Sequence, residues 1–411
     1  MILNKRVQEA SERALLKVKP YFEAIEERAE YNQVKVLSAF QKYKLSEAHF
    51  FGTSGYGYND LGREVIEKIY AEIFGVEDAL VRLQFVSGTH ALCVGLFGIL
   101  RPGDLVLSIT GTPYDTLSDV IAGENIGSLK DFGVCYDEIT LNDAFEVDLE
   151  KVMHYLESKK VKMVMIQRSK GYAWRKSFSA EYINSVVRKI HERFPEVVCF
   201  VDNCYGELVD KEEPYEADII IGSLIKNLGG GIAPTGAYIV GKTKYIELIA
   251  NRLTSPGVGK ECGATLGFNK QILQGLFMAP HTVAQALKTV VFAAAVMEEL
   301  GYEADPKSDE VRHDIIQAIK IGNPEELIRF CQGLQAGSPI DSHVTPYPWD
   351  MPGYKDQVIM AAGAFNQGAS IELSADAPIR EPYIVYLQGG LTFESGKYGV
   401  LKAINEMVKE D

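Results

Sequence analysis

The sequence predicts an α/β protein, with a large domain built on a mostly parallel sheet and a smaller C-terminal α+β domain. Three observations lead there. From about residue 79 to 240, short apolar runs alternate with stretches of helical periodicity, the pattern of strands joined by crossover helices. Helical periodicity then dominates residues 268–300, a segment long enough to bridge to a second unit. With 411 residues the chain is also too long for one compact core.

Taken in order, residues 1–45 read as an arm of amphipathic helices. Leu15, Leu16, Val18, Phe22 and Ile25 recur at helical spacing among charged residues, and Pro20 is expected to break or kink the arm. The loop Phe50–Asp60 is too rich in glycine to be a strand, and a helix follows from about Arg63 to Phe74. Four apolar runs come next as strands, at 105–109, 163–166, 197–201 and 219–223. The expected boundaries are an arm (1–45), a large domain (46–290) and a small domain (291–411).

Hydrophobic residues make up 46% and charged residues 24%, so the composition indicates neither a disordered chain nor a membrane resident. A net charge of −14 disfavours nucleic acid and anionic lipid as partners, so an anionic ligand must be gripped by a local pocket. The six cysteines lie far apart without a CxxC pair, which argues against zinc or a redox dithiol and for buried reduced thiols. Residues 1–30 lack the apolar core of a signal peptide, so a cytoplasmic protein is expected, and no metal is.

Asp202 and Lys226 each stand just beyond an apolar run, which places a carboxylate and an amine at one sheet edge. A lysine there can bond a carbonyl cofactor, and an aspartate can keep a pyridine nitrogen protonated. Those are the demands of pyridoxal 5′-phosphate (PLP). The apolar context of Lys226 is expected to lower its pKa. Ser223 stands three residues before it as a phosphate donor. Ser87-Gly88-Thr89 opens an apolar helix, where free N–H groups favour phosphate. Tyr114 follows the strand ending at Ile109 and is placed to stack on a planar ring. Singly, each has an ordinary reading as a cap, a turn lysine or packing; together they point to a site.

The stretch Gly236–Thr243 matches GxxxxGK[ST], yet its middle residues Ala, Tyr, Ile and Val read as a strand rather than a phosphate loop.

These residues resemble the fold-type I PLP enzymes of cysteine and methionine metabolism. Further segments, Phe51–Tyr58, Gln167–Tyr172 and Gln388-Gly389-Gly390, resemble the methionine γ-lyase-like, cystathionine β-lyase-like proteins associated with aluminium resistance. The resemblance implies that Lys226 bears the cofactor, Asp202 pairs with its ring nitrogen, Tyr114 stacks on it, and Ser87, Gly88, Thr89 and Ser223 hold its phosphate. It further implies that Tyr58 and Arg63 reach a neighbour's phosphate, that Gln167 or Arg168 serves the phenolic oxygen, and that Arg380 grips the substrate carboxylate. Ile225 departs from the pattern by replacing a hydroxyl residue, and Gly257–Gly263 has no counterpart. The implied protein is a carbon–sulfur lyase acting by β- or γ-elimination on a sulfur-containing amino acid. At least a homodimer is expected, and a homotetramer by the same resemblance. The competing readings are an aminotransferase or another α,β-eliminating PLP enzyme, and a non-catalytic relative.

Overall fold

The computed structural model describes residues 2–351 and 354–408. The chain opens with helix α1 (Lys5–Lys42), capped by the Asn4 side chain, and helix α2 (Leu61–Phe74), capped by Asp60. Of the break or kink expected at Pro20, the break does not occur: α1 continues through it. Pro20 lies on the exposed side, where water can meet the carbonyl that loses its partner. The opposite face of α1, including Val7, Ala14, Val18 and Ile25, is buried.

The large sheet has seven strands: β1 (Asp78–Arg82), β2 (Leu105–Ser108), β3 (Cys135–Glu138), β4 (Met163–Gln167), β5 (Val198–Asp202), β6 (Ile219–Ser223) and β7 (Ala237–Gly241). Their order is β1-β7-β6-β5-β4-β2-β3. Pairings from β3 through β6 are parallel, whereas β7 runs antiparallel to both β6 and β1. The predicted strands are continuous apolar runs because helices cover both faces. These helices are α3 (Gly88–Ile99), α4 (Asp115–Ala122), α5 (Leu149–Ser158), α6 (Ala180–Arg193) and α7 (Thr243–Leu253). As its residues suggested, Ala237–Gly241 of the phosphate-loop look-alike is a fully buried strand, and Lys242 pairs with Asp218 at 2.6 Å.

Helix α8 (Asn269–Glu299) is buried along most of its length. Strands β8 (Glu303–Asp305), β9 (Ile316–Lys320), β10 (Val358–Ala362), β11 (Ser374–Pro378) and β12 (Ile384–Gln388) follow, with helices α9 (Pro324–Ala336) and α10 (Phe393–Met407). They form a five-stranded antiparallel sheet ordered β10-β11-β12-β9-β8. One face of this sheet, with Ile316, Ala318 and Tyr386, packs against Tyr172, Trp174 and Tyr205 of the large-sheet unit.

Helix α8 touches both units closely. A methyl on Gly275 would lie 2.4 Å from the Gly229 carbonyl oxygen, and one on Gly390 would lie 2.7 Å from Thr289 Oγ1. None of the six cysteines is paired; three are buried, but Cys135 is exposed, so the expectation of buried thiols holds only in part. Among the described residues, no helix is long and apolar enough to cross a membrane.

Candidate active site

Strand register assembles the site. In the parallel pairing Gln167 lies opposite Asp202, and Asp202 lies opposite Ile221, so Ser223 and Lys226 emerge at the same edge. Ligands of parallel sheets sit outside this carboxyl edge. A cavity of about 360 Å³ opens there, lined by Ser87, Gly88, Thr89, Tyr114, Gln167, Asp202, Ser223 and Lys226 of the expected residues. Its size suits a small-molecule site.

One end of the cavity is the start of α3. The Ser87 carbonyl and hydroxyl accept the N–H groups of Ala91 (3.1 Å) and His90 (3.0 Å). The N–H groups of Gly88 and Thr89 are left without a helical acceptor, at the positive end of the helix. A side chain at Gly88 would press on Ser223 Cβ at 3.3 Å, so glycine brings these N–H groups and the Ser223 hydroxyl close together.

At the floor, Lys226 Nζ sits 3.7 Å from the centroid of the Tyr205 ring. Tyr205 adopts φ 74°, a strained conformation for a bulky residue, and the turn after β5 thereby presents its ring to the amine. Burial acts to lower the Lys226 pKa, but Cys204, Tyr205 and the Asp202 carboxylate outweigh it and hold the pKa above its ordinary value. The expectation of a lowered pKa is therefore corrected: it counted apolar neighbours but not the acid that register brings alongside. Burial pushes the Asp202 carboxyl up, while Lys226 and the Cys204 N–H (3.1 Å) favour its ionised form.

Across the cavity, the Tyr114 hydroxyl contacts that of Tyr354 at 2.6 Å, and its ring packs edge-on against Tyr172. Burial raises its pKa, so it stays protonated. Gln167 faces the cavity with its amide engaged, accepting from Tyr114 N–H (2.8 Å) and donating to the Ser169 carbonyl (3.1 Å). Arg168 is not a cofactor ligand. Successive residues of a strand face opposite sides, and its fully buried guanidinium bonds Asn203 (2.7 Å), Asp210 (2.7 Å) and Glu213 (3.3 Å), bracing the turn beyond Asp202.

Besides Arg168, three expected residues lie outside this cavity. Tyr58 is 52% exposed and stacks on Tyr56, itself 75% exposed, beside a separate cavity of about 320 Å³. Arg63 is buried and turned to its own chain. Its guanidinium donates to the carbonyls of Gly57 (2.5 Å), Gly263 (2.8 Å) and Glu261 (3.1 Å), so the unassigned Gly257–Gly263 segment serves to brace the tyrosine loop. Arg380 is partly exposed and paired with Asp356 at 2.9 Å, rather than pointing to a substrate carboxylate.

The cavity fits PLP: N–H groups and hydroxyls for a phosphate, a carboxylate for a ring nitrogen and a buried lysine for the aldehyde. Sequence reasoning missed Cys204 and Tyr205, together with Gln367 and Gly368 from the small-sheet unit, all of which line it. It also missed Tyr172, Tyr354 and Asp376 nearby. Asp376 carried a signal, an acid in the middle of the short strand Ser374–Pro378.

Residues 7–408 match the model of the methionine gamma-lyase family. The chain is 51% identical to a Clostridium acetobutylicum protein of known structure, given the provisional description of a cystathionine beta-lyase involved in aluminum resistance. That match has a TM-score of 0.96 and covers 99% of this chain and 96% of the other. A carbon–sulfur lyase involved in aluminum resistance from Clostridium novyi NT is 50% identical, with TM-score 0.95 over 99% and 97%. The pyridoxal-5′-phosphate dependent protein YhfS from Escherichia coli, 17% identical over 92% and 96% at TM-score 0.62, shares the fold.

Proposed function

The chain belongs to the methionine gamma-lyase family, and we propose that it is a PLP-dependent carbon–sulfur lyase acting on a sulfur-containing amino acid. The observation that carries this reading is the convergence of Asp202, Ser223, Lys226 and the start of α3 on one cavity. When bound, the cofactor supplies an electron sink for charge developing at the substrate α-carbon. Lys226 would hold the cofactor, and its free amine would take the substrate α-proton on Nζ. Asp202 keeps the ring nitrogen protonated. The Gly88 and Thr89 N–H groups, with the Ser87 and Ser223 hydroxyls, hold the phosphate. Tyr114 supplies the aromatic wall.

A second copy completes the site in this reading, because Tyr58 stands exposed and away from its own cavity. The working unit is then a homodimer at least, with a homotetramer as the larger assembly. Six unpaired cysteines suit a reducing cytoplasm.

Borohydride reduction of the yellow, PLP-loaded protein, followed by peptide mapping, should place the pyridoxyl group on Lys226. Label on another lysine would overturn the site. A panel of amino acids should yield thiol, ammonia and 2-oxo acid together; amino-group transfer without thiol release would make the protein an aminotransferase.

A further inference from the structure

Tyr205 lines the cavity beside the reacting amine, yet none of the roles above uses it. Its φ of 74° belongs to a region that glycine and asparagine enter readily and bulky side chains avoid. Strain of this kind concentrates at active sites and persists only where the surroundings over-determine it. The surroundings here are specific. Asn227, the residue after the lysine, is fully buried, and its Nδ2 donates to the Tyr205 carbonyl at 3.0 Å and to the Glu207 carbonyl at 2.9 Å. The Gly206 N–H closes the same turn on the Asn203 carbonyl at 3.0 Å, and the Tyr205 hydroxyl meets Ser370 Oγ of the small-sheet unit at 3.4 Å. The turn after Asp202 is thus clipped to the turn that carries Lys226.

What the strained turn achieves is a contact. At 3.7 Å from the ring centroid, Lys226 Nζ makes the shortest lysine- or arginine-to-ring approach among the described residues, well inside the ~6 Å over which a ring face attracts a cation. Burial opposes the charge on Lys226, and Cys204 and Tyr205 act with Asp202 to overcome it. The other titratable groups that bear on this amine are Glu207 behind the turn and Asp376 of the small sheet, while Tyr114 lines the same cavity. An amine that takes a proton in a half-closed cavity needs a place to hold the charge. The ring face of Tyr205 is that place.

We propose that Tyr205 is a positioning residue for Lys226: with Asn227 pinning the turn, its ring face is the resting place of the lysine ammonium whenever that amine is not bonded to the cofactor. The inference rests on Lys226 as the cofactor lysine, which the borohydride label decides separately; the contact itself is tested on the full chain freed of PLP, without turnover. Trace labelling with acetic anhydride between about pH 7 and 10 reports the uncharged fraction of an amine. The Lys226 peptide is read by mass spectrometry against that of the exposed Lys5. Phenylalanine and pentafluorophenylalanine at position 205 have nearly one shape but opposite charge on the ring face. Tyr205→Phe should label Lys226 within about threefold of wild type, and pentafluorophenylalanine should label it about 10-fold faster than Tyr205→Phe, a factor between exposed and desolvated cation–ring contacts. Asn227→Ala removes the clip and should raise the rate by about 3- to 10-fold. Equal rates for the two rings would overturn the contact, and an unchanged rate in Asn227→Ala would overturn the clip. If Asn227→Ala does not fold, the two ring variants, which keep every backbone hydrogen bond, still decide. Equal rates with the pyridoxyl label on Lys226 sink the contact and keep the site. A fluorine effect with that label on another lysine keeps the contact and removes the site.

Discussion

The lysine end of the cavity takes its side chains from one edge of one sheet, where parallel register aligns Gln167, Asp202 and Ile221 and delivers Lys226 just beyond. The tyrosine end is a meeting of distant segments: Tyr114 and Tyr172 from the large-sheet unit, Tyr354 and Asp376 from the small-sheet unit. The first end is fixed by backbone hydrogen bonds that hold whatever the side chains are. The second depends on two units docking correctly. Chemistry shared by many relatives suits the first, and choice of substrate suits the second, because loops and docked surfaces vary more easily than sheet edges.

This contrast can be broken experimentally. Lys226→Ala should lower turnover by about 10⁴-fold, since it removes both the cofactor anchor and the proton acceptor; residual activity within tenfold of wild type, measured by thiol release, would place the base elsewhere. Asp202→Ala should cut turnover by about 10² to 10³-fold while PLP still binds, as judged by absorbance. Near-native turnover would mean that another residue holds the ring nitrogen.

A third experiment tests whether the lysine end is finished by a neighbour. Inactive Lys226→Ala protein mixed with inactive Tyr58→Ala protein under subunit exchange should recover up to roughly one-quarter of wild-type activity, because half of the dimers are mixed and each has one intact site. No recovery despite demonstrated exchange would confine Tyr58 to its own subunit. At the tyrosine end the effects should be gentler. Tyr354→Phe removes one hydroxyl contact to Tyr114 and should change kcat/KM by about 2- to 10-fold, chiefly through KM; a 10³-fold loss of kcat would move Tyr354 into the chemistry.

The smallest expected effect concerns the bracing behind Asp202. Burial acts to raise the Asp210 carboxyl, but His313 and Arg168 outweigh it and hold it at about 2. A carboxyl lowered on folding stabilises the protein above its unfolded pKa, here by roughly 2 kcal/mol, and that contribution fades as the pH falls from about 4 towards 2. Denaturant titrations should show wild type more stable than Asp210→Asn at pH 6, with the gap closing in acid. A gap constant with pH would assign the effect to packing.

The lysine end was legible in the sequence because its residues are local: a strand, then an acid or an amine, then a turn. Arg168 was misjudged because adjacency to Gln167 says nothing about which face of a strand a side chain takes. The partners that Arg63 and Arg380 take within the chain, the carbonyl of Gly263 and the carboxylate of Asp356, were hidden because they come from other segments. The unbroken run of α1 through Pro20 was hidden for the same reason, since the surfaces that bury its other face are remote in sequence. Tyr172, Tyr354 and Asp376 bear no motif, and their meeting depends on how the small sheet docks.

Helix α8 has a mechanical consequence. One rod abuts the loop just past Lys226 at Gly275 and the turn just past Gln388 at Thr289, with no room for a methyl at either contact. Fourteen residues separate those contacts, about 21 Å of helix. The rod therefore acts as a gauge block that fixes the spacing between the loop after Lys226 and the turn after β12. A one-residue insertion between Gly275 and Thr289 would turn the far contact by about 100° and carry it 1.5 Å outward, resetting the gauge while leaving the Lys226 and Asp376 side chains unaltered in kind.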